Sequence, residues 1–158
     1  GISKGNLTYY FQKKEDLIEA CVSRSHESYQ KHTVPQTLEE LNHLFSLSLE
    51  QRKNRPYYFR NYAQLSEVCP RVYEIQLSVI EDLAEVLNSA IKNLIASGEL
   101  RQDCACAYDG IVSCMISVLA YGIPSVMASS PAEQLSCIWS ILIPCLTQKG
   151  LRKIKEIL

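Results

Sequence analysis

The stretch Gly1–Ala20, GISKGNLTYYFQKKEDLIEA, decides how the rest of the chain is read. Its first fourteen residues carry Lys4, Lys13 and Lys14 and no acid, a charge of +3; the rest of the 158-residue chain holds 13 basic and 17 acidic residues, a charge of −4. A net charge of −1 gives the whole chain no general attraction to polyanions, so any such attraction must sit in the head. Ser3 suits a helix N-cap, and Gly5 puts bare backbone in the first turn. Leu7 and Phe11, four apart, share one side of a short helix, with Ile2 just before. Lys4, Asn6, Thr8 and Tyr9 are left facing outward, side chains that can hydrogen-bond base edges and phosphates in a DNA major groove. The next helix begins at Lys14, where an ammonium and a helix N-terminus both favour phosphate. The competing reading is a solvated helix beside a lysine pair.

Beyond the head, strand signals are nearly absent and helix signals recur, which predicts an all-α fold. Glu15 and Asp16 open a helix over 15–31 with Leu17, Ile18, Cys21 and Val22 at helical spacing. Thr37 and Glu40 stand in capping-box register ahead of Leu38, Leu41, Phe45 and Leu49. NRPYYFRNYAQL predicts an aromatic-rich helix with Pro56 near its start. The longest helix is expected from Pro70 to about Ser97, with a stripe of Tyr73, Leu77, Ile80, Ala84, Leu87, Ile91 and Leu94. Val72, Ile75, Val79 and Val86 widen that stripe, and Gly98 stops the helix. Asp103 is the expected N-cap of a helix running to Tyr121, ended by Gly122 and Pro124. Ser130, Pro131 and Glu133 open a helix over 131–148 that Pro144 should kink, and GLRKIKEIL follows as a basic amphipathic tail.

The uncharged run Gly110–Ala132 matches a bilayer in length, but its Ser, Gly and Pro content argues for a buried helix and a loop. Seven cysteines lie in apolar runs, the pattern of reduced, buried thiols in a cytoplasmic protein. Cys104 and Cys106 form C-x-C, and His26, His32 and His43 are remote from it, so core or interface cysteines are expected ahead of a metal site or a redox sensor. No phosphate loop, G-x-S-x-G or H-E-x-x-H is present, and the adjacent acidic pairs Glu39–Glu40 and Glu81–Asp82 diverge on their helices. No catalytic residue, metal or cofactor is therefore expected.

GISKGNLTYYFQKKEDL resembles the recognition helix and following helix of the TetR family of bacterial repressors. The similarity rests on Gly1, Ile2, Ser3, Lys4, Gly5, Leu7, Tyr9, Tyr10, Phe11, Lys14, Glu15 and Leu17, and the chain departs from the family at Thr8, where Tyr is usual. The C-terminal IWSILIPCLTQKG is also similar to family members. The resemblance implies that residues 1–31 are the remnant of a helix-turn-helix whose two preceding helices are missing, and that 32–158 form a ligand-binding and dimerisation domain. It implies DNA contacts from Ser3, Lys4, Asn6, Thr8, Tyr9, Tyr10 and Lys14, and a homodimer built from the helices at 103–121 and 131–148. Without the two preceding helices, the chain is expected to fold and dimerise but to bind DNA only weakly.

The implied effector is small and mostly apolar. Its pocket is expected among the Pro56–Leu65 helix, the long helix and the helix carrying Met115, with Phe59, Tyr62, Tyr73, Gln76 and Met115 in its wall. The function implied is a ligand-responsive, DNA-binding transcriptional regulator, a repressor released by a small molecule. The alternative is a helical protein–protein interaction or scaffold module that does not bind DNA.

Overall fold

A computed structural model describes residues 9–27, 31–54, 64, 67, 69–123 and 130–158. All its regular structure is helical, as the periodicities predict. Six α-helices occur among the described residues: α1 (Lys14–Glu27), α2 (Leu38–Asn54), α3 (Pro70–Ala96), α4 (Tyr108–Tyr121), α5 (Pro131–Leu142) and α6 (Gln148–Ile157). Short 3-10 turns lead into α4 (Gln102–Ala107) and out of α5 (Ile143–Cys145). None of the described helices is long and apolar enough to cross a membrane.

The chain divides into two compact units. Gly1–Lys31 groups with Asn61–Val79, and His32–Arg60 groups with Ile80–Leu158.

In the first unit, Asp16 Oδ2 accepts the Lys13 backbone N–H at 3.0 Å, which caps the start of α1. No residue of α1 is buried. On the first ten residues of α3 the covered face is Val72, Ile75 and Gln76, with Cys69 just ahead. Tyr73 and Leu77, placed on the inner stripe by their spacing, are instead 51% and 41% exposed. The Cys69 thiol donates to the Glu15 carbonyl at 3.9 Å, and burial, with Glu15 nearby, pushes its pKa up.

The second unit holds the main core. Leu38, Leu41, Phe45 and Leu49 of α2 meet Leu83, Leu87, Ile91 and Leu94 of α3, Val112, Met115 and Leu119 of α4, and Ile138, Trp139 and Leu142 of α5. The α2 helix packs on α4, α5 and α6, and α4 packs on α5. Phe45 and Trp139 meet edge to face at 5.6 Å, and the indole N–H donates to Asn42 Oδ1 at 2.8 Å, so the largest core side chain has its polar atom satisfied.

The caps follow the sequence in outline and differ in detail. Ser130 and Glu133 form the full reciprocal box at the start of α5. At α2 the Thr37 hydroxyl accepts from the Glu40 N–H, but the Glu40 carboxylate reaches the N–H of Gln36 and not that of Thr37. Asp103 does not cap α4: it lies in the 3-10 turn, where it pairs with Arg101 at 3.0 Å, and the residue ahead of α4 is Ala107, without a side-chain cap. The helix expected over 131–148 stops at Leu142, because Pro144 has no N–H and the chain tightens there into a 3-10 turn. Thr147 then caps α6 by accepting from the Gly150 N–H.

Two glycines are required by their surroundings. Gly122 ends α4 at φ 79°, and an added Cβ would fall inside the Arg52 guanidinium, which donates to the carbonyls of Val118 at 3.3 Å and Tyr121 at 2.9 Å. Those are C-terminal carbonyls of α4, where a cation also meets the negative end of the helix dipole. Gly150 lets α6 approach the Glu99 carbonyl too closely for any side chain. There Lys153 pairs at 2.5 Å with Glu99, whose carboxylate is buried and whose second oxygen has no partner among the described residues.

Candidate functional site

Head residues Ser3, Lys4, Asn6 and Thr8, together with Phe59 and Tyr62 of the expected pocket wall, lie outside the described residues. The remaining head residues are open to solvent. Tyr9 is 81% and Tyr10 76% exposed, their rings meeting edge to face at 5.3 Å. Both are helical, and a three-residue break at Phe11–Lys13 separates them from α1. Lys14 is the exposed first residue of α1. Aromatic rings with hydroxyl tips, two lysines and a helix N-terminus within six residues form a surface that can accept a phosphate backbone.

Of the expected pocket residues, Tyr73 and Gln76 fall in the first unit and Met115 in the second. Gln76 is 2% exposed, and neither its amide nitrogen nor its amide oxygen has a hydrogen-bond partner among the described residues. A buried amide left this way costs about 1–3 kcal/mol. The amide presents a donor and an acceptor side by side. Met115 is fully buried in the core of the second unit, and Tyr73 is half exposed.

Comparison with family models, with curated proteins and with solved structures finds no match.

The α4 and α5 helices carry outward faces of an unusual kind. Gly110, Ser113, Cys114, Ser117 and Tyr121 are exposed along α4, and Ala132, Ser136 and Ser140 along α5. The hydroxyls of Ser113, Ser117 and Ser140 each donate to the carbonyl four residues back, at 2.8–2.9 Å. These faces are small, uncharged between Gly110 and Tyr121, and present few unspent donors. The run from Gly110 is thus apolar only on its inner side, where Val112, Met115 and Leu119 are buried.

The cysteines depart from the buried pattern expected of them. Among the six whose side chains are described, Cys69 and Cys145 are buried, Cys104 and Cys137 are half-buried, and Cys21 and Cys114 are exposed. Apolar neighbours in sequence did not predict this, because a helix turns successive residues to different faces. No group of three or more His, Cys, Asp or Glu that could hold a metal forms among the described residues.

Several contacts leave no local trace in the sequence: Arg52 on the end of α4, Asn42 on Trp139, and the Lys153–Glu99 pair. Each joins residues at least fifty positions apart. Burial lowers the pKa of Arg52, and burial, opposed by Asp82, lowers that of His32.

Proposed function

We propose that the chain is a ligand-responsive, DNA-binding transcriptional regulator of the TetR type, a cytoplasmic homodimer that represses and is released from DNA by a small, mostly apolar effector. The observation that carries this reading is the solvent-open head, where Tyr9, Tyr10, Lys13 and Lys14 stand exposed at the break before α1. The other DNA contacts of the proposal are Ser3, Lys4, Asn6 and Thr8. Gln76 supplies the effector's polar anchor, and the outward faces of α4 and α5 supply the two-fold contact, their small residues allowing close helix approach. Two head helices related by a two-fold axis must present themselves about 34–36 Å apart to read successive major grooves. A change in that spacing releases DNA at a coupling free energy of only about 1–3 kcal/mol.

A titration of fluorescent duplex DNA with the protein at several salt concentrations tests the head. Binding should weaken steeply as salt rises. Lys14→Ala should lower affinity for all sequences alike and flatten the log–log salt slope by about one unit. Identical slopes for the two proteins would remove the head from the DNA interface. No salt-dependent binding by either would favour a helical interaction module, for which the uncharged faces of α4 and α5 are the supporting observation.

A further inference from the structure

The covered stripe at the start of α3 is apolar except at one position. Cys69, Val72, Gln76 and Val79 follow one another at steps of three and four, so they share one side of the helix, with Ile75 beside them. Cys69, Val72, Ile75 and Gln76 are buried. Taking an amide out of water into such surroundings is unfavourable unless it finds partners there. Ser78, two residues on, is satisfied within the helix, its hydroxyl donating to the Ile75 carbonyl at 3.0 Å. Gln76 Nε2 and Oε1 have no such outlet among the described residues.

This stripe belongs to the head unit, in which Asn61–Val79 groups with Gly1–Lys31. The Cys69 thiol, two turns ahead of Gln76, donates to the Glu15 carbonyl in the first turn of α1 at 3.9 Å. Seven residues at the helical rise put Gln76 about 10 Å further along α3 from that contact. A molecule held at Gln76 is therefore held by the unit that also carries Tyr9, Tyr10 and Lys14.

The two orphaned atoms define what such a molecule must offer. Nε2 needs an acceptor and Oε1 needs a donor, side by side in one plane. A cis N–H/C=O edge presents that pair. A ketone or an ether lacks the donor. A carboxylate offers acceptors only, leaves Oε1 bare and brings a charge among Val72, Ile75 and Cys69.

We propose that Gln76 holds the effector by a neutral cis-amide, the N–H/C=O edge of a lactam or cyclic imide whose remaining surface is apolar. This rests on the reading of the chain as an effector-responsive regulator, and it names the effector's class and the unit on which it acts. The ligand carbonyl accepts from Gln76 Nε2, the ligand N–H donates to Oε1, and the apolar body lies along Val72 and Ile75. The effector acts within the head itself, with no movement relayed from the core around Trp139.

The test titrates the 158-residue chain with 2-quinolone and with N-methyl-2-quinolone by calorimetry, and repeats both titrations with Gln76→Leu. 2-Quinolone should bind one site per chain. The N-methyl compound keeps the carbonyl but lacks the donor, and should bind at least about tenfold more weakly because Oε1 is left unpaired. Gln76→Leu should erase that preference. Without ligand it should also melt at a higher temperature than the unaltered chain, because a buried amide without partners has been removed. A lower melting temperature would show that ordered water or a protein group already satisfies the amide, and would overturn the site. Equal binding of the two quinolones, or binding of neither, would overturn it as well. Duplex titration of the same samples separates this site from the regulator reading. Salt-dependent duplex binding without 2-quinolone binding removes the site and leaves the regulator, whereas 2-quinolone binding at Gln76 without duplex binding keeps the site and removes the regulator.

Discussion

The α1 and α4 helices are both fourteen residues long, and they are held in opposite ways. Not one residue of α1 is buried, although Leu17, Ile18 and Val22 recur at helical spacing. In α4 five residues are buried, namely Tyr108, Val112, Met115, Leu119 and Ala120. Yet α1 has the better local start, an Asp16 cap and two acids in its first turn, whereas α4 begins without a side-chain cap. Local signals are enough to begin a helix. Packing is what keeps one in place, since isolated helices of this length are marginal in water. The lesson is that α1 rests on local signals, whereas α4 is held by the core it helps to form.

The sharpest way to break this contrast is to damage the body. Trp139→Ala removes the edge-to-face partner of Phe45 and strands Asn42. It should cost about 3–5 kcal/mol of stability, measured by urea unfolding followed by far-ultraviolet circular dichroism. A loss under 1 kcal/mol would mean that the core is not the common support of α2, α4 and α5.

A smaller effect is expected at the end of α4. Gly122→Ala forces a side chain into a φ of 79° and into the Arg52 guanidinium, and should cost about 1–3 kcal/mol in the same assay. Gly110→Ala, on the open face of the same helix, should instead stabilise by about 0.5–1 kcal/mol through helix propensity. Equal effects of the two would show that Arg52 does not close α4. The smallest effect belongs to the head. Leu17→Ala in α1 should shift the midpoint by less than about 1 kcal/mol, because its side chain is only half-buried and leaves no sealed cavity. A loss as large as that of Trp139→Ala would overturn the comparison between the two helices.

Much of the fold was legible because helices announce themselves over short ranges. The long α3 helix starts at Pro70 and stops before Gly98, whose φ of 75° only glycine adopts readily. The Ser130–Glu133 box opens α5 as its residue types require. The errors have one cause. The residue type of Asp103 fits a cap for α4, but Arg101, two residues away, takes its carboxylate. Spacing puts Tyr73 and Leu77 on the inner stripe of α3, yet the side covered there is that of Val72, Ile75 and Gln76. Periodicity names the faces of a helix and does not say which one a neighbour will cover. The candidate sites follow the same rule. The basic, aromatic head could be read from residue types, and Gln76 could be suspected, but its stranded amide is visible only once burial is known.

By itself the sequence determined the helical class, most helix ends and the charge asymmetry that marks the head, because each depends on residues within a turn or two of one another. Only the tertiary structure decided that Arg52 closes α4, that Glu99 receives Lys153 beside Gly150, and that Asn42 meets the Trp139 indole. Those pairs are separated by long stretches of chain. Their energies depend on distance and desolvation, which exist only after the helices have packed.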